Sequence, residues 1–554
     1  MLGKVLLTLG LRALTSIPVR KKVTQLKISY AIEKLRRLDL MPTIELRPIT
    51  ILVGRNSAGK STFLRSLPLL RQSIETRSSA PVLWYGDYVD FGDFETAVSG
   101  ENQREEAAFC FKLENVSEHY RGGPSIYRGY RRVPGRIHVD SVDVRYVVGS
   151  IGEKTVMRRI EASIPSEEIE VAISWAGKSS ATLEINGSEV PNLSKQFELK
   201  ADQSRLFSVP FFVTRSKDST TGAKRYANAD GIFAEQLADV FAKKAKRKLS
   251  HETIYREVRR VLGANLINSD TLSLFSSQAG TVSFEKIYEE LRLDPNSKFS
   301  KEVLNIRKAD RTFKVLDVIE DILTDFFENV GYLGPARAAS ERFYRRQELE
   351  VSEISPDGQN FPMFLASLPP AKLRGFSSWV EGIFGYGVEL APSMGHISIN
   401  LRAGSKSVNV TDTGYGVSQI LPVLGAIWWA GSRPISINHY RRSNNMTRTL
   451  CIEQPELHLH PAHQSKLADV LVGAVGKELP KREEQKLNLL VETHSEALIN
   501  RLGELVAEGK VAADKVQIVV FSAEDDINSP TLVSQATFNN DGILENWPFG
   551  FFNY

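Results

Sequence analysis

The chain has 554 residues, 42% of them hydrophobic and 25% charged, with a formal net charge of +4. That composition suits a globular protein able to build its core unaided, and the length implies several domains or one large domain with insertions. The charge excess is too small to mark a nucleic-acid binder by itself, and two cysteines, Cys110 and Cys451, offer no disulfide framework and no four-cysteine zinc site, as in a reducing cytoplasm.

Residues 1–20 are apolar, but Lys4 and Arg12 interrupt them and Arg20-Lys21-Lys22 follows. The run is too short and too charged to span a bilayer, and no small-residue cleavage site follows it. An N-terminal extension over residues 1–25 is expected, its helix packed on the protein or on a partner. No other segment could span a membrane, so no membrane role is expected.

Ile49-Thr50-Ile51-Leu52-Val53 predicts a short buried strand. It runs into Gly54-Arg55-Asn56-Ser57-Ala58-Gly59-Lys60-Ser61, and Thr62 to Leu67 then reads as a helix. G-x-x-x-x-G-K-S between a strand and a helix is the pattern of a phosphate-binding loop. Gly54 and Gly59 let the backbone turn its N–H groups onto phosphate oxygens, and the helix N-terminus adds donors. Lys60 supplies charge for the β- and γ-phosphates, and the Ser61 hydroxyl is a ligand for Mg²⁺. Pro68 is expected to kink or end the helix early.

Residues 105–215 read as strand-rich, with runs at 107–113, 142–148, 168–175 and 181–185. Stretches 232–261, 284–291 and 314–330 read as helical. The roughly 300 residues between the loop and the next motif are too many for a connection. No sustained heptad run predicts a long coiled coil. Arg121, Arg128, Arg131, Arg132 and Arg136 lie among Tyr120, Tyr127 and Tyr130. This pattern suits gripping a nucleic-acid backbone and stacking on bases, and it suits a solvated loop equally well. Lys243, Lys244, Lys246, Arg247 and Lys248 read better as a solvated helix face.

Gly414-Tyr415-Gly416-Val417-Ser418-Gln419 opens an apolar helical run, which makes Gly414, Gly416, Ser418 and Gln419 candidates for contact with a phosphate. Thr449 to Glu453 is an apolar strand ending in an acid. Such a strand can carry Glu453 beside the phosphate loop to hold Mg²⁺. Gln454-Pro455-Glu456 follows, then His458, His460 and His463. The histidine spacing admits a zinc reading, but no cysteine or clear fourth ligand completes it. Leu487 to Glu492 is a third apolar strand, followed by Thr493-His494-Ser495 and a helix over 496–505. His494 is placed to donate to a γ-phosphate and to position water.

Together these segments resemble the ABC-ATPase superfamily, in the branch of RecF, the SMC proteins and the OLD-like ATPases. Residues 53–62 resemble its Walker A, 452–461 its Walker B with the adjoining D-loop, and 492–495 its switch-histidine segment. Residues 414–419 stand in the place of its signature. The resemblance implies an α/β fold, an ABC-ATPase head of mixed sheet flanked by helices, split by a large inserted α+β arm or lid domain. The head would comprise residues 26–110 and 331–554, and the arm 111–330. ATP and Mg²⁺ are the implied cofactors. Gly54, Arg55, Asn56, Ser57, Ala58, Gly59, Lys60, Ser61 and Thr62 would bind the nucleotide, with Ser61 and Glu453 on Mg²⁺. The signature of a second copy would complete the site, so a homodimer through head-to-tail ATP sites is implied.

One departure bears on mechanism. The family places an Mg²⁺-binding Asp and then a catalytic Glu at this strand end, where Glu453 and Gln454 stand here. An amide cannot act as a general base. Glu456 can substitute, or Gln454 can orient water as a glutamine does in some GTPases. ATP hydrolysis is therefore expected, and expected to be slow.

Residues 332–337, 88–94 and 540–552 resemble the PtuA group of Septu and retron anti-phage systems. That resemblance implies a regulatory ATPase beside a PtuB-like HNH nuclease, with a reverse transcriptase and its msDNA as further partners in retrons. The alternatives are a RecF-like ATPase that clamps DNA in repair and an OLD-like DNA-processing enzyme. The latter would lack its Toprim nuclease, because only about 60 residues follow His494.

Overall fold

The computed structural model describes residues 25–98, 106–120, 136–175, 181–190, 197–214, 226–227, 229–245, 249–264, 267–348, 350–433, 447–476, 486–523 and 530–547. All but Gln25 of the expected N-terminal extension lies outside them. So do Arg121, Arg128, Arg131, Arg132, Lys246, Arg247, Lys248 and residues 548–552.

Among the described residues the strands form three sheets. The sheet that carries the phosphate loop has seven strands, in the order Val330–Leu333, Thr447–Glu453, Lys486–Glu492, Ile49–Gly54, Val516–Ser522, Leu532–Phe538, Leu544–Glu545. The first five run parallel and the last two join antiparallel, so the sheet is mixed. Its inner strands are buried on both faces, which is why they read as continuous apolar runs. Ile49, Ile51 and Val53 point into a core shared with helices Tyr415–Ser432, Pro461–Val475 and Glu496–Ala507. Leu52 points the other way, into a core shared with helices Lys60–Glu75 and Lys298–Glu328. Helices thus flank both faces of an α/β sheet.

An eleven-stranded antiparallel sheet is drawn from residues 27–227. It begins with Lys27–Glu33 and Ile44–Glu45, and Glu106–His119 pairs with the first of these along seven positions. The boundary expected between residues 110 and 111 therefore falls inside a strand. The helical part of the segment follows, but the helix expected over 232–261 is two helices, Ala229–Ala245 and His251–Gly263. Ser250 caps the second by accepting the Thr253 N–H. One core cluster runs from Ile28 through the antiparallel sheet and helix Lys298–Glu328 to Phe63 and Leu64 beside the phosphate loop. The intervening segment shares its core with the head.

Helix Lys60–Glu75 continues through Pro68 for 16 residues, contrary to the expected early end. Leu64, Leu67, Leu69 and Leu70 bury its inner face, and that packing outweighs the hydrogen bond Pro68 cannot donate. A small antiparallel sheet, with strand His396–Ala403 at its centre and Gly387–Ser393 at one edge, precedes the helix that starts at Tyr415. Among the described residues no helix is long and apolar enough to cross a membrane.

Candidate functional site at the carboxyl edge of the parallel sheet

The parallel strands end together, and the chemistry-bearing residues sit on the turns that leave them. After Gly54 the chain turns through Ser57 and Gly59, both at positive φ (61° and 91°), and enters the helix at Lys60. A Cβ at Gly54 would collide with the Phe521 carbonyl oxygen of the adjacent strand, so a glycine is required there. Arg55, Asn56 and Ser57 are exposed, Ala58 and Thr62 buried, and Gly59 and Ser61 half-buried. Lys60 is buried. Its Nζ donates to the Gly54 and Arg55 carbonyl oxygens, at 2.9 and 2.8 Å. Burial lowers the Lys60 pKa, with Glu492 and Glu456 opposing that shift.

The strand next to the phosphate-loop strand is Lys486–Glu492, and Thr447–Glu453 lies one strand further out. Glu453 thus ends a strand one place out from the phosphate-loop strand, and its carboxylate reaches Arg65 on the helix that follows the loop. Glu492 ends the inner strand, 2% exposed, with Oε1 3.9 Å from Lys60 Nζ. Its Oε2 is buried without a hydrogen-bond partner. Burial, then the Glu453 charge, raises its pKa, and the Ser61 hydroxyl beside it acts in the opposite sense.

Glu453 is held otherwise. Arg65, one turn beyond Ser61 on the same helix, donates from Nε to Oε1 at 2.6 Å and from Nη2 to Oε2 at 2.8 Å. Tyr332 donates its hydroxyl to Oε1 at 2.8 Å. Three donors therefore hold the carboxylate expected to face Mg²⁺, and the bidentate ion pair neutralises it. The same hydrogen bonds push the Arg65 pKa upward.

Arg337 leaves the strand Val330–Leu333 and donates Nη2 to the Glu453 and Gln454 carbonyl oxygens, at 2.7 and 3.2 Å. It is 6% exposed, and its Nε and Nη1 are buried without partners. Burial brings its pKa down to about 10. Gln454 sits at positive φ, with its N–H donated to the Glu492 carbonyl oxygen at 2.8 Å. Glu456 is buried. Its Oε1 accepts the His494 backbone N–H at 2.7 Å, while Oε2 has no partner. Burial raises the Glu456 pKa and lowers that of the exposed His494 ring.

The glycine-rich segment behaves differently. Gly414, at φ 95°, caps helix Tyr415–Ser432 without any side-chain hydrogen bond. Gly414 and Tyr415 are exposed and Gly416 half-buried. A Cβ at Gly416 would lie 2.6 Å from the His458 carbonyl oxygen, so this helix start packs against the turn after Glu456. Ser418 and Gln419, expected to offer side chains to a nucleotide, face inward. Ser418 Oγ donates to the Tyr415 carbonyl oxygen at 2.7 Å, and Gln419 Nε2 to that of Ala338 at 3.2 Å. The first turn of a helix bends a serine hydroxyl back onto its own backbone unless something outside competes for it.

The three histidines separate. His458 meets the Tyr415 ring edge-on, His460 caps helix Pro461–Val475 through Nδ1, and His463 lies against Phe384. Of the arginine cluster, Arg136 is described and exposed, and Tyr120 is buried.

Arg65, Tyr332, Arg337 and Glu492 also belong to this site: Glu492 lies in the segment read as the switch histidine's and Tyr332 and Arg337 in residues 332–337, but none of the four was given a role from the sequence, and Arg65 lies in no motif. The available signal for Glu492 was its place at a strand end immediately before Thr493-His494. A triphosphate with a divalent cation fits what is present. Lys60 and the turns at Ser57 and Gly59 suit phosphate oxygens, and orphaned buried atoms of both signs converge there on Arg337, Glu456 and Glu492.

A family model described as "AAA ATPase domain" matches residues 31–499. No curated protein matches the sequence. Among solved structures the chain is similar to the SMC head domain from Thermotoga maritima and to the recombination mediator protein RecF of the RecFOR pathway. In both cases identity is 8% and the TM-score 0.27, over 92% of this chain and 98% of the other.

Proposed function

The chain belongs to the AAA ATPase domain family, and from that premise we propose that it is a slowly hydrolysing regulatory ATPase of the RecF/SMC-like branch, acting in the cytoplasm within a PtuA-like anti-phage complex. The observation that carries the ATP site is the convergence of Lys60, Ser61, Glu492, Glu456 and Arg337 at one edge of the parallel sheet, with unpartnered buried atoms on three of them. Bound Mg²⁺ would offset charge on the β- and γ-phosphates. Lys60 leaves the Gly54 and Arg55 carbonyls to meet phosphate oxygens, and the turn at Ser57 and Gly59 directs N–H groups at them. Arg337 offers the N–H groups of its unpartnered Nε and Nη1. Glu456, held by the His494 N–H, accepts a proton from water that Gln454 and the His494 ring orient. With an amide at 454, slow turnover follows.

The signature helix supports a head-to-tail homodimer. Its uncapped N-terminus at Gly414 and Tyr415 is exposed and has backbone donors for the phosphate of a second copy. The PtuA-like reading rests on resemblance and on one further fact. Tyr332 and Arg337, which lie in one of the resembling segments, bond to the carboxylate and the backbone carbonyl of Glu453 respectively, alongside Arg65. The partners proposed are an HNH nuclease of the PtuB kind and, in a retron setting, a reverse transcriptase with its msDNA. Affinity purification of the chain expressed with its neighbouring genes tests this. Stoichiometric recovery of an HNH protein is expected. Recovery of DNA with no protein partner would favour a RecF-like clamp.

A further inference from the structure

We infer that Arg65 is a positioning residue of the ATP site: its guanidinium is a tethered cation on Glu453, and it must leave that carboxylate before the divalent ion of a bound nucleotide can use it. This rests on the ATP-site reading, in which Glu453 faces Mg²⁺, and adds to it the residue that governs access to that carboxylate.

Ser61 and Arg65 are four residues apart on helix Lys60–Glu75 and so share one face of it. The serine expected to hold the ion and the arginine therefore reach toward the same strand ends. Glu453 Oε1 accepts from Arg65 Nε at 2.6 Å and from the Tyr332 hydroxyl at 2.8 Å, and Oε2 accepts from Arg65 Nη2 at 2.8 Å. Both oxygens are engaged. The guanidinium charge cannot be titrated away, and these bonds push the Arg65 pKa further upward. An ion approaching Glu453 meets a like charge already at hydrogen-bond distance from its ligand.

The two partners differ in their freedom to move. The Glu453 side chain is 2% exposed, and its strand is paired on both sides, with Val330–Leu333 and with Lys486–Glu492. The Arg65 side chain is 30% exposed on a helix surface, with a path to water. Arg65 is therefore the member that can swing away. It leaves behind a carboxylate still anchored by Tyr332 through Oε1, with Oε2 open. One or two carboxylates with phosphate oxygens and water suit Mg²⁺, and Glu453 with Ser61 then supplies the protein's share. The local charges agree. Glu453, Glu456 and Glu492 stand among Lys60, Arg65 and Arg337, three acids with three bases. With Arg65 in place the group is balanced; with Arg65 withdrawn it turns negative and attracts a divalent ion more strongly. Breaking the fork costs free energy that ion binding must supply, so Arg65 lowers the affinity of the site for the ion.

Titration of Mn²⁺ into the whole chain with a non-hydrolysable ATP analogue, followed by electron paramagnetic resonance, tests this. Analogue affinity in chelator, and melting temperatures with and without Mn²⁺, are measured alongside. Arg65→Gln removes the charge and is expected to tighten Mn²⁺ binding about tenfold or more. A merely structural role for Arg65 would not give that gain, because damage to a site weakens binding. Arg65→Lys keeps the charge without the fork and is expected to tighten binding about threefold or more; it serves if Arg65→Gln does not fold. Mn²⁺ with the analogue is expected to raise the melting temperature of Arg65→Gln by more than that of wild type, since tighter binding to the folded chain stabilises it further. Equal or weaker Mn²⁺ affinity in a folded Arg65→Gln protein, or in Arg65→Lys where the first does not fold, would overturn the inference. Failure of the wild-type chain to bind the analogue at all would instead remove the ATP-site reading, and the inference with it.

Discussion

Arg65 grips Glu453 with both arms of its guanidinium, Nε to Oε1 at 2.6 Å and Nη2 to Oε2 at 2.8 Å, across 388 residues of sequence. Glu453 is 2% exposed and the Arg65 side chain 30%. The fork joins the phosphate-loop helix to the outer strand of the site. Removing one member leaves the other without its charge partner in a poorly solvated place. Arg65→Ala is expected to destabilise the chain by about 3 kcal/mol in urea unfolding. Arg65→Lys recovers little of that, because an ammonium cannot reproduce the fork. The double change Arg65→Met with Glu453→Gln is expected to cost less than Arg65→Ala alone. Equal stability of Arg65→Ala and wild type would show that the pair is not engaged in solution.

Glu456 is the carboxylate proposed to take a proton. The His494 N–H holds one oxygen and the other is buried and open, while burial raises its pKa. Glu456→Gln is expected to lower the steady-state ATPase rate about 100-fold with little change in nucleotide affinity. Gln454→Ala, which removes only a water-orienting amide, is expected to cost about tenfold or less. An undiminished rate in Glu456→Gln would move the base elsewhere.

The exposed, uncapped start of the signature helix predicts association. Light scattering should give a mass near 61.9 kDa without nucleotide and twice that with ATP held unhydrolysed by Glu456→Gln. Tyr415 is 52% exposed at this helix start. Tyr415→Asp should abolish the ATP-dependent dimer and leave ATP binding intact. A dimer that forms equally with and without ATP would refute nucleotide-driven pairing.

Asp310 gives a pH signature away from the site. It lies beside Lys314 at 2.6 Å, near Asp230 and Arg307, on helix Lys298–Glu328. Burial, against the pull of Lys314, pushes its pKa from 3.8 up to about 6. The folded value exceeds the unfolded one, so the folded chain holds this proton more tightly. The associated stability is present below the unfolded pKa and is lost as pH rises through the folded value. Asp310→Asn mimics the protonated form. Its stability relative to wild type is expected to grow by about 1 kcal/mol between about pH 5 and pH 7. A gap that does not change with pH would contradict the assignment.

Local features of this fold were legible in the sequence. The run Ile49 to Val53 followed by G-x-x-x-x-G-K-S specifies strand, loop and helix through backbone needs alone, and the strands ending at Glu453 and Glu492 carry uninterrupted apolar runs. The order in which those strands lie was not legible. No residue in 447–453 signals that 486–492 lies between it and the phosphate-loop strand. Ser418 and Gln419 illustrate the same limit, since a serine and a glutamine at a helix start look suited to phosphate until packing against Ala338 and the helix's own backbone turns them inward. That residue 110 falls inside a strand was not legible either, because alternation along Glu106–His119 shows a strand without showing that it pairs with Lys27–Glu33.

The central claim is that nucleotide binds at Lys60. Isothermal titration of ATP into wild type and Lys60→Ala, with melting temperatures taken alongside, tests it most directly. The account predicts that wild type binds ATP and that a folded Lys60→Ala protein loses about tenfold or more in affinity, together with its ATPase activity. Equal ATP affinity and equal turnover in the two proteins would contradict it.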